Sequence, residues 1–222
     1  MTKMFSCVTG TWNALGGRCP HDCVYCWSMG EKGLVERFNM KKYRGEIRLF
    51  EREFKRKFKD GEFIFVQDMS DLFADEVPAE YIIRVLRHIE KFPKATFLLL
   101  TKNPKRYYTL DIPKNCICGA TIESDIDHKV SNVMSPVERG FGLWVKQHPR
   151  KMISIEPIME FNFNRFVALI KTVSPEFVYV GFDNYDNNLP EPSIEKVDIL
   201  VRRLSKFTEV REKPSVEKRR KK

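Results

Sequence analysis

The chain has 222 residues, of which 42% are apolar and 12% aromatic, and a formal net charge of +9. That composition excludes a disordered chain and leaves room for one large domain or two small ones. No stretch approaches the ~20 apolar residues of a membrane span, and Met1-Thr2-Lys3-Met4 lacks an apolar signal core, so the expectation is a soluble, cytoplasmic protein. Its six cysteines are then expected as ligands or buried thiols rather than as disulfides.

In chain order, short runs rich in Phe, Val, Ile and Leu predict strands at Met4–Thr9, Glu62–Asp68, Thr96–Thr101, Cys116–Glu123, Lys151–Glu156 and Phe177–Gly181. Amphipathic stretches lie between them. Ile47, Phe50, Phe54 and Phe58 recur at three- and four-residue steps, as do Ile82, Val85, Leu86 and Ile89, and Ile194, Val197, Val201 and Leu204. Each set predicts a helix with one buried face. Strand alternating with helix through six units predicts an α/β protein with a parallel sheet, either a partial (β/α)6 barrel or an open sheet, with function at the carboxyl ends of the strands. Asp183–Ser193, rich in Asn, Asp and Pro, reads as a loop after the last strand.

The charge is uneven. Residues 211–222 carry seven basic and two acidic side chains, and the other 210 residues carry 32 and 28. The chain thus divides into a body, 1–210, and a basic tail, 211–222, expected to be disordered. The tail reads either as a phosphate-binding arm or as a solubilising end.

The sharpest feature is Cys19-Pro20-His21-Asp22-Cys23-Val24-Tyr25-Cys26, directly after the first predicted strand. Three clustered thiols favour a soft metal centre, zinc or an iron–sulfur cluster. A closed zinc site needs four ligands, commonly two C-x2-C pairs. Here there is one such pair with one further Cys; His21 is the nearest candidate for a fourth ligand, Cys7 lies further off, and Cys116 and Cys118 have C-x-C spacing.

The C-x3-C-x2-C spacing, with Tyr25 before the third Cys and a β/α repeat around it, resembles the radical S-adenosylmethionine (radical SAM) superfamily. The resemblance is to a short phage and archaeal branch, distantly similar to spore photoproduct lyase. It extends through Trp12-Asn13, Asp68-Met69-Ser70-Asp71-Leu72-Phe73, Leu100-Thr101-Lys102, Gly119-Ala120-Thr121-Ile122-Glu123 and Ser154-Ile155-Glu156-Pro157-Ile158. There are departures. The Gly-Gly-Glu that many members carry after the second strand is replaced by Gln67-Asp68-Met69-Ser70, and Gly181-Phe182-Asp183-Asn184 follows the sixth strand.

The resemblance implies a partial (β/α)6 barrel of the radical SAM type and an enzyme with a four-iron, four-sulfur cluster (4Fe-4S) held by Cys19, Cys23 and Cys26. It implies bound S-adenosylmethionine, cleaved by one electron to methionine and a 5′-deoxyadenosyl radical that removes hydrogen from a substrate. It also implies an external reductant of the ferredoxin or flavodoxin type.

Cofactor contacts are expected from Tyr25 beside the adenine, Asp68 and Ser70 toward the methionine amino group, Thr101 and Lys102 at the third strand end, and Glu123 and Glu156 as strand-end acids. Strand alternation places Cys116 and Cys118 on the face opposite Glu123, as buried thiols. Asp71 reads equally as a turn cap, and Trp12, Asn13 and Trp27 as packing for the loop. The substrate is open. The basic tail suggests nucleic acid, a peptide or small molecule remains, and a partner protein would complete the pocket of so compact a core. The alternative function is a zinc-stabilised nucleic-acid-binding module without catalysis.

Overall fold

The structure is a computed structural model that describes residues 5–30 and 33–221. In chain order its strands are β1 (Gly10–Trp12), β2 (Leu15–Gly16), β3 (Arg48–Leu49), β4 (Phe63–Val66), β5 (Thr96–Thr101), β6 (Cys116–Thr121), β7 (Lys151–Ile155), β8 (Phe177–Val180) and β9 (Glu209–Glu212). The helices are α1 (Leu34–Arg37), α2 (Ala79–Ile89), α3 (Pro136–Val145), α4 (Phe163–Val173), α5 (Ile194–Leu204) and α6 (Pro214–Arg220).

Seven strands form one parallel sheet in the order β1-β4-β5-β6-β7-β8-β9, and β2 and β3 form a small antiparallel pair. From β4 onward the spatial order follows the sequence, so each connection must cross over on one side of the sheet. The sheet does not close, and β1 and β9 are its edges.

Alternation along the strands divides the core. On the helix side, Cys116, Cys118 and Ala120 of β6, with Ile122 just beyond it, join Val85, Leu86, Ile170 and Leu200 in one apolar cluster. On the other side, Phe65, Leu98, Ile117, Met152, Phe177 and Tyr179 pack with Phe5 and Val8. That second cluster fills the amino-terminal half of the inner face and leaves the carboxyl ends of the strands to polar side chains. Side-chain caps fix where the later helices begin: a Ser135–Glu138 capping box opens α3, Asn162 caps α4 and Ser193 caps α5.

Three expectations are corrected. The predicted strand at Met4–Thr9 begins outside the described residues, and the observed strand is Gly10–Trp12. Phe5 and Val8 are buried as filling for the inner face instead. The predicted helix through Ile47, Phe50, Phe54 and Phe58 is a hairpin strand followed by a 3-10 turn, Glu51–Lys55. Its rings are held by other contacts: Phe54 and Phe58 stack edge-on against Trp12, and Phe50 lies so close to Gly16 that a Cβ there would stand 2.2 Å from its ring. The tail is ordered through residue 221. Arg211 and Glu212 belong to β9, the seventh strand where six were expected, and α6 follows. Acidic partners account for this: Arg219 pairs with Glu191, and Arg220 with Asp198 at 2.6 Å and Glu212 at 2.5 Å. Among the described residues no helix is long and apolar enough to cross a membrane.

Candidate metal and cofactor site

The loop from Gly17 to Gly30 carries the three clustered cysteines over the carboxyl ends of the strands. Cys19, Cys23 and Cys26 line one open cavity of about 320 Å³, together with Arg18, His21 and Met29. Asp22, with φ 46°, turns the backbone between the first two thiols. Cys26 Sγ accepts the Met29 N–H at 3.2 Å, and backbone N–H groups of His21 and Asp71 favour the Cys19 thiolate. Burial pushes the Cys19 thiol up to about 12, with Asp71 adding to it, and burial pushes Cys23 up to about 11 against the pull of Lys102. Thiols so placed become thiolates only with a metal to hold the charge. Among the described residues no three His, Cys, Asp or Glu side chains are gathered to hold a single metal ion. Three thiols lining one cavity are a donor set for a soft metal centre.

Two buried acids anchor this loop to the sheet. Asp71 Oδ2 lies 2.8 Å from His21 Nε2 and accepts the Thr101 hydroxyl at 2.9 Å and the Lys102 N–H at 2.8 Å, while its Oδ1 accepts the Phe73 N–H at 2.8 Å. Its carboxyl sits below the usual range, because His21 and these donors outweigh burial. Glu123, fully buried just beyond β6, accepts from the Tyr25 hydroxyl, stands 3.1 Å from Lys102 Nζ and pairs with Arg139 Nη2 at 2.8 Å. Burial would raise its pKa, but Arg139 and Lys102 hold the carboxyl far below the usual range. Lys102 Nζ also lies 5.1 Å from the centre of the Tyr25 ring. Glu123 Oε2 faces Arg139 without an aligned hydrogen bond, and Arg139 Nε is buried with no partner, so this cluster keeps an unfilled acceptor and an unfilled donor.

The remaining predicted residues are placed less centrally. Asp68 accepts the Asn13 amide at 2.6 Å, and burial raises its pKa. Ser70 Oγ accepts from Gln67 Nε2 at 2.7 Å. Glu156, just past β7, pairs with Lys213 Nζ at 2.8 Å, and burial raises its pKa against that cation. Thr101 follows Phe97 and Leu99 in register, the helix-facing side of β5, which is why its hydroxyl meets Asp71.

Comparison with known proteins adds to this geometry. The family DUF5131, described as "Protein of unknown function", matches residues 4–167. The chain belongs to this family. No curated protein matches this DUF5131 chain in sequence. Among solved structures, a spore photoproduct lyase variant superposes with a TM-score of 0.60 at 10% identity over 91% of this chain and 76% of that one. A second variant of that lyase, with bound AdoMet and dinucleoside spore photoproduct, gives 0.55 at 12% over 89% and 61%. SuiB of Streptococcus suis, bound to the precursor peptide SuiA, gives 0.52 at 9% over 94% and 49%. The chain thus spans about three-fifths of the AdoMet-bound lyase and half of SuiB. These likenesses establish the fold as an α/β partial barrel of the radical SAM type with its sheet left open.

For this DUF5131 chain, sequence reasoning missed Arg139 and Lys213 as partners of the two glutamates, and His21 as a partner of Asp71. The Ser135-Pro136-Val137-Glu138 pattern signals a helix start and so places Arg139 in a first turn. Nothing local signals Lys213, which the unforeseen strand β9 carries to the sheet.

Proposed function

We propose that this chain is a radical SAM enzyme, with Cys19, Cys23 and Cys26 holding a four-iron, four-sulfur cluster. The observation that carries the reading is that all three thiols line one cavity, in a loop tied to the carboxyl ends of the parallel sheet through His21–Asp71 and Tyr25–Glu123. When bound, such a cluster supplies the electron that cleaves S-adenosylmethionine to methionine and a 5′-deoxyadenosyl radical. An external one-electron donor of the ferredoxin or flavodoxin type feeds it. The chain's own residues bind and orient. Tyr25, fixed by Cys26 on one side and Glu123 on the other, presents its ring to the adenine. Lys102 supplies a cation to the methionine carboxylate. Asp68, with Ser70 beside it, takes the amino group in place of the missing Gly-Gly-Glu. Glu123 Oε2 and Glu156 accept from ribose hydroxyls or the ammonium, and Thr101 acts through Asp71, holding the strand end beneath Lys102. The hydrogen atom comes from an organic substrate, in a cytoplasmic setting, and a partner protein completes the pocket.

Anaerobic reconstitution tests the reading. It expects about four irons and four sulfides per chain, lost in Cys23→Ala, and 5′-deoxyadenosine from S-adenosylmethionine with a strong reductant. One tightly held zinc and no iron in protein purified without oxygen would overturn it in favour of a zinc-stabilised binding module.

A further inference from the structure

Residues 34–59 hold ten basic and four acidic side chains, a larger surplus than that of the tail. Outside these two segments, acidic side chains outnumber basic ones by two. The net charge of the chain therefore lives at two places, and α6 neutralises part of its own share with Glu191, Asp198 and Glu212.

The 34–59 segment is differently arranged. Its few acids are largely occupied: Glu53 by Lys42 at 2.7 Å, Glu36 by Arg44 at 2.7 Å, and Glu51 by Arg84 of α2. Its cations are gathered. Lys42 Nζ, Arg48 and Arg52 lie 5.1, 5.1 and 5.8 Å from the centre of the Phe50 ring. Lys41, Arg48 and Arg52 are exposed. Three residues before Lys41 in the chain, Phe38 is 65% exposed, with the Arg37 guanidinium 5.6 Å from its ring centre. The patch is also tied to the cysteine loop. Gly17 N–H donates to Lys42 O at 2.8 Å and Arg18 N–H to Gly45 O at 2.9 Å, one residue before Cys19.

A stripe of cations on a folded backbone matches a row of phosphates, and an exposed aromatic ring carrying an arginine matches an unstacked base. We propose that the 34–59 segment is a docking surface for single-stranded nucleic acid, with phosphates on Lys41, Arg48 and Arg52 and a base on Phe38. This surface does not depend on the cluster chemistry; under the proposed function, a strand held there lies beside the cluster cavity.

The test is fluorescence anisotropy of a labelled oligothymidylate with the full chain, with and without reconstituted cluster, over a salt series. The wild type is expected to bind with a steep salt dependence. The triple variant Lys41→Gln, Arg48→Gln, Arg52→Gln should weaken binding about tenfold and flatten the log–log slope by about two, at ~0.7 per lost contact on a single strand. Phe38→Ala should weaken binding with the slope unchanged. Lys218→Gln on α6 with Lys221→Gln just past its end should alter neither. Should the triple variant fail to fold, Arg52→Gln alone, at a side chain 72% exposed, should still flatten the slope. Absent wild-type binding, an unchanged slope in the Gln variants, or equal binding of polyglutamate, which would assign the surface to an acidic protein, overturns the proposal. Cys23→Ala should leave anisotropy as in the wild type while abolishing iron binding, so failure of either proposal is read separately.

Discussion

Glu123 and Glu156 stand at matching positions on adjacent strands, each two residues past the Thr121–Ser154 register pair, yet their surroundings act in opposite directions. Glu123 is wholly buried among Arg139, Lys102 and the Tyr25 hydroxyl, and two cations hold it ionised against burial. Glu156 is 19% exposed with Lys213 beside it, and there burial prevails and raises its pKa. Burial alone pushes a carboxyl toward neutrality, and the cations around it decide the outcome. The β6 end is thus a fixed electrostatic pivot under the cysteine loop, while the β7 end carries an acid with less invested in its present partner.

The largest expected effect follows at the pivot. Glu123→Gln strands two cations in a buried site and should cost about 3–5 kcal/mol of stability at neutral pH, read by denaturant unfolding of the metal-free protein. Glu123→Leu combined with Arg139→Leu should recover part of that loss, because the cation most deeply committed to the carboxylate is then gone. A cost below about 1 kcal/mol for Glu123→Gln, the level of an exposed pair, would erase the contrast between the two ends. The sign with pH is fixed: the folded pKa lies below the ordinary 4.5, so this stabilisation is complete above that value and is lost as pH falls toward the folded pKa.

A smaller effect is expected at the contact that joins the pivot to the loop. Tyr25→Phe removes one hydrogen bond to a charged carboxylate, worth about 1.5–3 kcal/mol, and leaves Arg139 and Lys102 in place. Hydrogen exchange in the metal-free protein should quicken in residues 19–30 and stay unchanged in β6. Unchanged loop protection would mean that His21 and Asp71 hold the loop without help from Tyr25.

What the sequence reveals of this contrast divides along a physical line. The runs that became β4 to β8 are buried on both faces and bounded by polar residues, so hydrophobicity alone locates them. The cysteine spacing is likewise local, and so is the alternation that turns Cys116 and Cys118 toward the helices, which is found as expected. The failures lie where distant contacts choose. Phe50, Phe54 and Phe58 have helical spacing but are recruited by Gly16 and Trp12. The tail looks too charged to fold, yet β8 offers a free edge and acids of α5 and the preceding loop offer partners. Arg139 and Lys213 come to their glutamates through such placements, and no spacing along the chain encodes them. The same alternation that fixed Cys116 would have turned Thr101 away from the inner face.

The smallest expected effect is the most direct comparison of the two acids. Because the folded pKa of Glu156 lies above the ordinary 4.5, the native state binds more protons than the unfolded chain between the two values. Its favourable contribution is therefore full at low pH and is lost as pH rises through the folded pKa. Glu156→Gln removes that titration, so relative to wild type the variant should gain stability on going from roughly pH 4 to pH 7. Glu123→Gln should lose ground over the same interval, since it deletes a carboxylate whose contribution grows with pH. Unfolding free energies of both variants across that range give two slopes of opposite sign. Slopes of the same sign would mean that Lys213 supports Glu156 as firmly as Arg139 and Lys102 support Glu123, and that the β7 end is a second pivot.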